Sequence, residues 1–215
     1  MCCPTSRRRW RLWRPSYGGS VTGTAWWGLL SSSAAPVLLV GGWTVAAERQ
    51  PGGFDQVTRS ISALAALDAA DRWVMTGALL AVGVCHILTA WSLRPAATRG
   101  RLVLAGGGVA TVLVALLPLP GDGGGSTAHA LVATVSLTML AAWPAFARRR
   151  GPVPRVLRPA VCIGVTALLL GALGWFFLEV LTDGGRLGLS ERIAAGMQAL
   201  WPLAVVVGTR LSADR

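Results

Sequence analysis

Residues 102–147 read LVLAGGGVATVLVALLPLPGDGGGSTAHALVATVSLTMLAAWPAFA, and Asp122 is the single formally charged side chain among them. A helix rising about 1.5 Å per residue needs roughly 20 apolar residues to cross about 30 Å of hydrocarbon. Leu102–Leu119 and Thr127–Ala147 each come close to that length. Between them, Pro120-Gly121-Asp122-Gly123-Gly124-Gly125-Ser126 is a run of turn formers. The stretch therefore reads as a transmembrane hairpin.

Four further uncharged runs flank it, near Trp26–Ala47, Trp73–Leu93, Ala160–Leu178 and Ile193–Gly208. The first contains Ser31-Ser32-Ser33 and Pro36, and the last contains Gln198 and Pro202. Packing against neighbouring helices makes such residues tolerable, because a buried face satisfies the freed backbone groups. The whole chain has 215 residues, 53% hydrophobic and 13% charged. A soluble domain of this size has about 25% charged residues, so the composition places the chain in a membrane. The fold expected is an all-α, integral membrane bundle of six transmembrane helices.

Arginine sets the orientation. The chain has twenty basic residues and no lysine. Fifteen fall in the N-terminal arm, the second and fourth loops and the C-terminal tail; the other three loops share Arg49, Arg59, Arg72, Arg186 and Arg192. The positive-inside rule then places both termini in the cytoplasm of a bacterial plasma membrane. The acidic residues lean the other way: Glu48, Asp55, Asp68, Asp71, Asp122, Asp183 and Glu191 lie in or beside the outer loops, and Glu179 is near the outer end of the fifth span. The outer face is where polar chemistry is expected. Residues 1–24 read as a disordered basic cytoplasmic arm, 25–209 as the transmembrane domain and 210–215 as a cytoplasmic tail. The net charge of +11 does not imply nucleic acid, because the arginines sit in short clusters beside apolar runs rather than along one soluble face.

The first outer loop, residues 48–72, is the longest. Ile61, Leu64 and Leu67 recur in it every third residue, which predicts a short amphipathic helix lying in the membrane interface. Gly106-Gly107-Gly108, and Gly171 with Gly174, read as places where helices approach closely. Trp26, Trp27, Trp73, Trp91 and Trp143 fall near span ends, as an aromatic belt requires. Of the four cysteines, Cys85 and Cys162 lie inside spans; Cys2-Cys3 is a candidate for acylation. The basic N-terminus precedes an apolar run too long for the core of a cleavable signal peptide.

Several local patterns follow one another in a suggestive order. Thr58-Arg59-Ser60-Ile61-Ser62-Ala63-Leu64 follows the first span, and Leu119-Pro120-Gly121-Asp122 closes the third. His129 opens the fourth, Gly188-Leu189-Ser190-Glu191-Arg192-Ile193 leads into the sixth, and Trp201 lies further along it. Together they resemble the bacterial six-helix membrane family known as domain of unknown function 998, over roughly residues 26 to 210. Leu119 stands where that family has an aromatic residue, and His129 stands alone near Asp122 where a second histidine is common. The resemblance implies fold and topology, and no activity. A fainter likeness to the eukaryotic six-helix Frag-one/DRAM-type proteins rests on the same serine-containing loop and on His129.

The polar residues of these patterns are the candidate ligand-binding set: Arg59, Ser60, Ser62, Asp122, His129, Glu191 and Arg192. Among them Asp122, His129 and Ser62 are the candidate catalytic groups. Asp122 precedes His129 by seven residues, and the glycine-rich turn between them allows the carboxylate to fold back on the imidazole, the usual partner in acid–base chemistry. The competing account is structural: Asp122 caps the fourth span, Glu191 caps the sixth with Ser190, and Arg192 snorkels to headgroups. His86 lies deep in the second span, out of reach of His129, and reads as a neutral hydrogen-bonded residue of the bundle. No cysteine or histidine spacing suits a metal, and no nucleophile elbow, HExxH or P-loop is present, so neither metal nor cofactor is expected.

Three functions fit, in this order. The first is a binding protein whose outer cluster engages a membrane lipid headgroup or another membrane protein. The second is a lipid-acting hydrolase using Asp122 and His129 with Ser60 or Ser62. The third is a small transporter, which would need polar groups through the midplane, where only His86 and Gln198 stand. No internal repeat supports the third.

Overall fold

The computed structural model describes residues 24–121 and 123–213. Six helices in it are long and apolar enough to cross a membrane: α1 (Trp26–Glu48), α2 (Trp73–Ser92), α3 (Thr98–Leu116), α4 (Thr127–Ala147), α5 (Pro159–Leu181) and α6 (Leu187–Ala213). Each packs on its neighbour in sequence, and α6 closes back on α1. Large apolar side chains such as Leu30, Leu102, Leu168 and Leu181 remain exposed around the bundle, the outer surface that a hydrocarbon solvent requires. The basic arm, Cys2-Cys3 and Asp122 lie outside the described residues.

Two layers of core fill the bundle. At one end Leu39, Trp43, Met75, Leu79 and Ala199 pack with Ile61 and Leu64 of the α1–α2 loop. At the other, Leu104, Leu140, Trp143, Val205 and Val206 pack with Leu157. α5 is the peripheral helix, with only Cys162, Leu169 and Leu173 buried among its described residues. Polar residues inside the spans bond across or along helices. Ser31 Oγ lies 2.9 Å from Thr89 Oγ1, Ser32 Oγ donates to the Leu29 carbonyl at 3.1 Å, and Thr111 Oγ1 lies 2.8 Å from Ser136 Oγ. That is how α1 tolerates its serine run.

Three expectations are corrected by packing. Trp143 is 0% exposed and belongs to the core, not to an aromatic belt. The glycine run of α3 is a close approach as expected, since a Cβ on Gly108 would sit 2.6 Å from the Gly83 carbonyl of α2. Gly171 and Gly174 on peripheral α5 face open space instead. The loop helix is a single 3-10 turn, Ser62–Ala65, shorter than the amphipathic helix expected. Ile61 and Leu64 plug into the bundle core, while Leu67 is 55% exposed. A spacing of three is the 3-10 period, in which every third side chain eclipses, so the pattern marked a face but a different helix.

Candidate functional site

The α1–α2 loop folds over one end of the bundle and is pinned there by its own sequence. Gln50 Nε2 donates to the carbonyls of Ala46 and Ala70, both at 2.9 Å, and Arg49 pairs with Asp71 at 3.1 Å. Asp55 turns the chain by accepting from the Val57 N–H and the Thr58 hydroxyl, each at 2.8 Å, and these bonds hold its carboxyl below the usual carboxylate range.

The strongest tether is Arg192. Its Nη1 lies 2.9 Å from each of the carbonyls of Gln56, Arg59 and Gly188, which share its two hydrogens, while the guanidinium lies near the rings of Trp43 and Phe54. Gly188 lets α6 come this near: a Cβ there would collide with the Arg59 carbonyl. The Leu189 N–H completes the contact by donating to the Val57 carbonyl at 2.9 Å. Beside it, Glu191 is buried and accepts from the Ile61 N–H at 2.6 Å, with the Ser62 N–H directed at the same carboxylate. Glu191 and Arg192 therefore bind the backbone on either side of Ser60.

This tethering places Ser62 over α4. His129 Nε2 lies 3.0 Å from Ser62 Oγ, and His129 Nδ1 lies 2.7 Å from the carbonyl of Leu117, at the end of α3. A carbonyl only accepts, so Nδ1 carries the proton in the neutral ring, and Nε2 is left to accept from the serine hydroxyl. Ser126 N-caps α4 by accepting from the His129 N–H at 3.3 Å, and the Leu67 N–H donates to the Leu119 carbonyl at 3.0 Å. The second contact holds the α3–α4 turn against the loop.

The expected cluster thus divides. Ser60, Ser62, His129 and Glu191 line one cleft. Arg59 and Arg192 do not line it: Arg59 lies over the Phe54 ring at 4.5 Å, and Arg192 is held through Nη1 by loop carbonyls, its Nε and Nη2 buried without a partner among the described residues. The capping account also fails for two residues. α6 begins at Leu187, so Glu191 is inside the helix, and Arg192 reaches protein rather than headgroups. Ser126 is the N-cap of α4. Both ring nitrogens of His129 already have partners, a backbone carbonyl standing where a carboxylate was expected.

The cleft has a volume of about 680 Å³ and lies among α4, α5, the start of α6 and the α1–α2 loop. Its wall is apolar, from Leu137, Phe176, Phe177 and Val180, and its floor is Ser62, His129 and Glu191. A narrower cavity of about 70 Å³ shares Ser62 and Glu191 and continues inward to His86 and Gln198. Each of those two is 1% exposed. The Gln198 amide atoms and His86 Nδ1 have no hydrogen-bond partner among the described residues, which departs from the bonded histidine expected. Such a cavity has room for roughly five waters at about 15 Å³ each. Glu179, which the sequence patterns did not include, is also in the cleft wall; it accepts from Trp175 Nε1 and the Arg186 N–H, each at 2.9 Å.

A family model described as protein of unknown function (DUF998) matches residues 33–208. No curated protein and no solved structure is significantly similar to the chain.

Proposed function

Because the chain belongs to the DUF998 family, whose description carries no activity, its function has to be read from the site, and we propose that the cleft binds a lipid-like amphiphile. The apolar wall takes the tail, and Ser62 and His129 meet the polar end. The observation that carries this reading is the His129 bridge from Leu117 to Ser62 at the floor of a cleft of about 680 Å³. Ligand sites combine this kind of apolar concavity with a few convergent polar groups. The arginine distribution supports a plasma-membrane protein with both termini in the cytoplasm and the cleft in the outer leaflet.

A tail already in hydrocarbon gains little by moving into a cleft, since lipid is as apolar as leucine. Affinity must come from the polar end and from shape. Filling the cleft is therefore the direct test. Ala133 lines both the cleft and the inner cavity. Ala133→Trp is expected to remove most of the amphiphile that co-purifies with the protein in mild detergent, read by native mass spectrometry. Leu168→Trp, on the exposed side of α5, is expected to leave that load unchanged. Equal loads in wild type and Ala133→Trp would rule the reading out.

A second reading, hydrolysis or transfer of an acyl group, is favoured by one observation: the tautomer fixed by Leu117. Ser62 Oγ would give its proton to His129 Nε2 and attack an ester carbonyl, and the imidazolium would protonate the departing alcohol. Against it, the backbone donors nearest Ser62 are already spent. The Ile61 N–H goes to Glu191 and the Ala63 N–H to Ser60 Oγ at 3.1 Å. Binding therefore ranks first.

A further inference from the structure

The charged side chains among the described residues of the cleft are Glu179, Asp183 and Glu191, with no arginine among those residues. From this we infer that the cleft selects amphiphiles whose polar end is a cationic amine, an inference that rests on the cleft being an amphiphile site.

The arginines at this end of the bundle are each committed elsewhere or turned outward. Arg192 Nη1 is held by the loop carbonyls of Gln56 and Arg59 and by Gly188 of its own helix, Arg59 covers Phe54, Arg49 pairs with Asp71, and Arg72 lies over the Trp73 ring at 3.8 Å. Arg186 gives Glu179 its backbone N–H rather than its guanidinium. None of the three cleft carboxylates forms an ion pair among the described residues. A concave site with low-dielectric walls focuses such a field, drawing cations in and excluding phosphate. The amphiphile's tail contributes little discrimination inside a bilayer, so the sign of the headgroup decides what stays.

An independent feature points to a polar ligand. Gln198 lies seven residues beyond Glu191 on α6, so it is on nearly the same face and about 10 Å deeper at 1.5 Å per residue. Its amide oxygen and nitrogen and His86 Nδ1 line a cavity that continues from the cleft floor, and none of the three has a partner among the described residues. Buried polar atoms without partners are unfavourable unless something fills the space beside them. An ammonium group at Glu191 donates to the carboxylate, and water beneath it, able to donate and accept, reaches the amide and the imidazole.

The test compares three single-chain amphiphiles of equal length, hexadecylamine, hexadecanol and hexadecyl phosphate. Each is titrated against the full chain in phosphatidylcholine nanodiscs, with empty discs subtracted. The amine is expected to bind about tenfold tighter than the phosphate, a difference of about 1.4 kcal/mol. Glu179→Gln with Asp183→Asn is expected to erase most of that preference with at most a small fall in the thermal midpoint, since glutamine keeps one acceptor for Trp175 Nε1 and gives up only the exposed bond from the Arg186 N–H. The same loss is expected in Ala133→Trp. Phosphate binding as tightly as amine would overturn the inference and leave the amphiphile site standing. An amine preference that survives Ala133→Trp would assign it to surface charge, which also overturns the inference. Binding of none of the three would instead remove the amphiphile reading itself.

Discussion

Arg192→Met unfolds the α1–α2 loop from the bundle and lowers the thermal midpoint by roughly 6–12 °C, on the scale of about 2–4 °C per kcal/mol for chains of 150–250 residues. The estimate follows from the bonds lost. The two hydrogens of Nη1 are shared among three carbonyls, and hydrogen bonds from a charged group contribute about 1.5–3 kcal/mol each when their partners stay buried. Gln56 and Arg59 sit in an exposed loop and recover water, so the net loss is nearer about 3 kcal/mol than the sum. Methionine keeps much of the bulk against Trp43 and Phe54 but donates nothing. Arg59→Met is the matched control, because its exposed guanidinium only covers a ring. Differential scanning fluorimetry and limited proteolysis after Arg59 read both consequences. A midpoint within about 2 °C of wild type, with the loop still protected, contradicts the tether.

His129→Asn separates the two bonds of the imidazole. An asparagine amide reaches the position of Nδ1 and keeps a donor for the Leu117 carbonyl, but nothing extends to Ser62. The fold is expected to survive, whereas alanine would leave the Leu117 carbonyl and the Ser62 hydroxyl both without partners. The polar floor is broken in either variant, so amphiphile retention falls by about tenfold, the cost of one or two lost hydrogen bonds. If Ser62 performs acyl chemistry, its labelling by a lipophilic fluorophosphonate falls at least about a hundredfold in His129→Asn, the loss typical of a missing general base. Labelling of Ser62 that is unchanged by His129→Asn contradicts that role. A wild-type Ser62 that takes no label ends the acyl reading and leaves the binding reading intact.

How much of this was legible in the sequence depends on the physical range of each interaction. The six spans were, because length and lack of charge are local properties, and α2 and α4 begin at the residues expected. The start of α6 was not. Glu191 and Arg192 resemble a membrane boundary when read along the chain, yet they lie inside the helix because loop carbonyls and N–H groups satisfy them. Trp143 was misplaced for a related reason: its position near a span end says nothing about which side of the helix meets the core.

Four site residues in sequence motifs, Ser60, Ser62, His129 and Glu191, do share a cleft. Their pairing was beyond sequence reading, since Ser62 and His129 are 67 positions apart and meet only after the loop docks. The Leu117 carbonyl that orients the imidazole is a backbone group with no residue signature. Glu179 was visible as an acidic residue near the end of the fifth span, but its place beside Glu191 comes from the α5–α6 turn, where the Gly184 N–H donates to its carbonyl at 2.9 Å.

The central claim, an amphiphile held in this cleft, is tested most directly by photo-crosslinking. The full chain, reconstituted in bilayers with a trace of a long-chain amine bearing a diazirine in its tail, is irradiated and the labelled peptides are mapped. The account predicts label concentrated on Leu137, Phe176, Phe177 and Val180, and lost from them when unlabelled amine is added in excess. Label spread evenly over the exposed faces of all six helices, and unaffected by competitor, would contradict it.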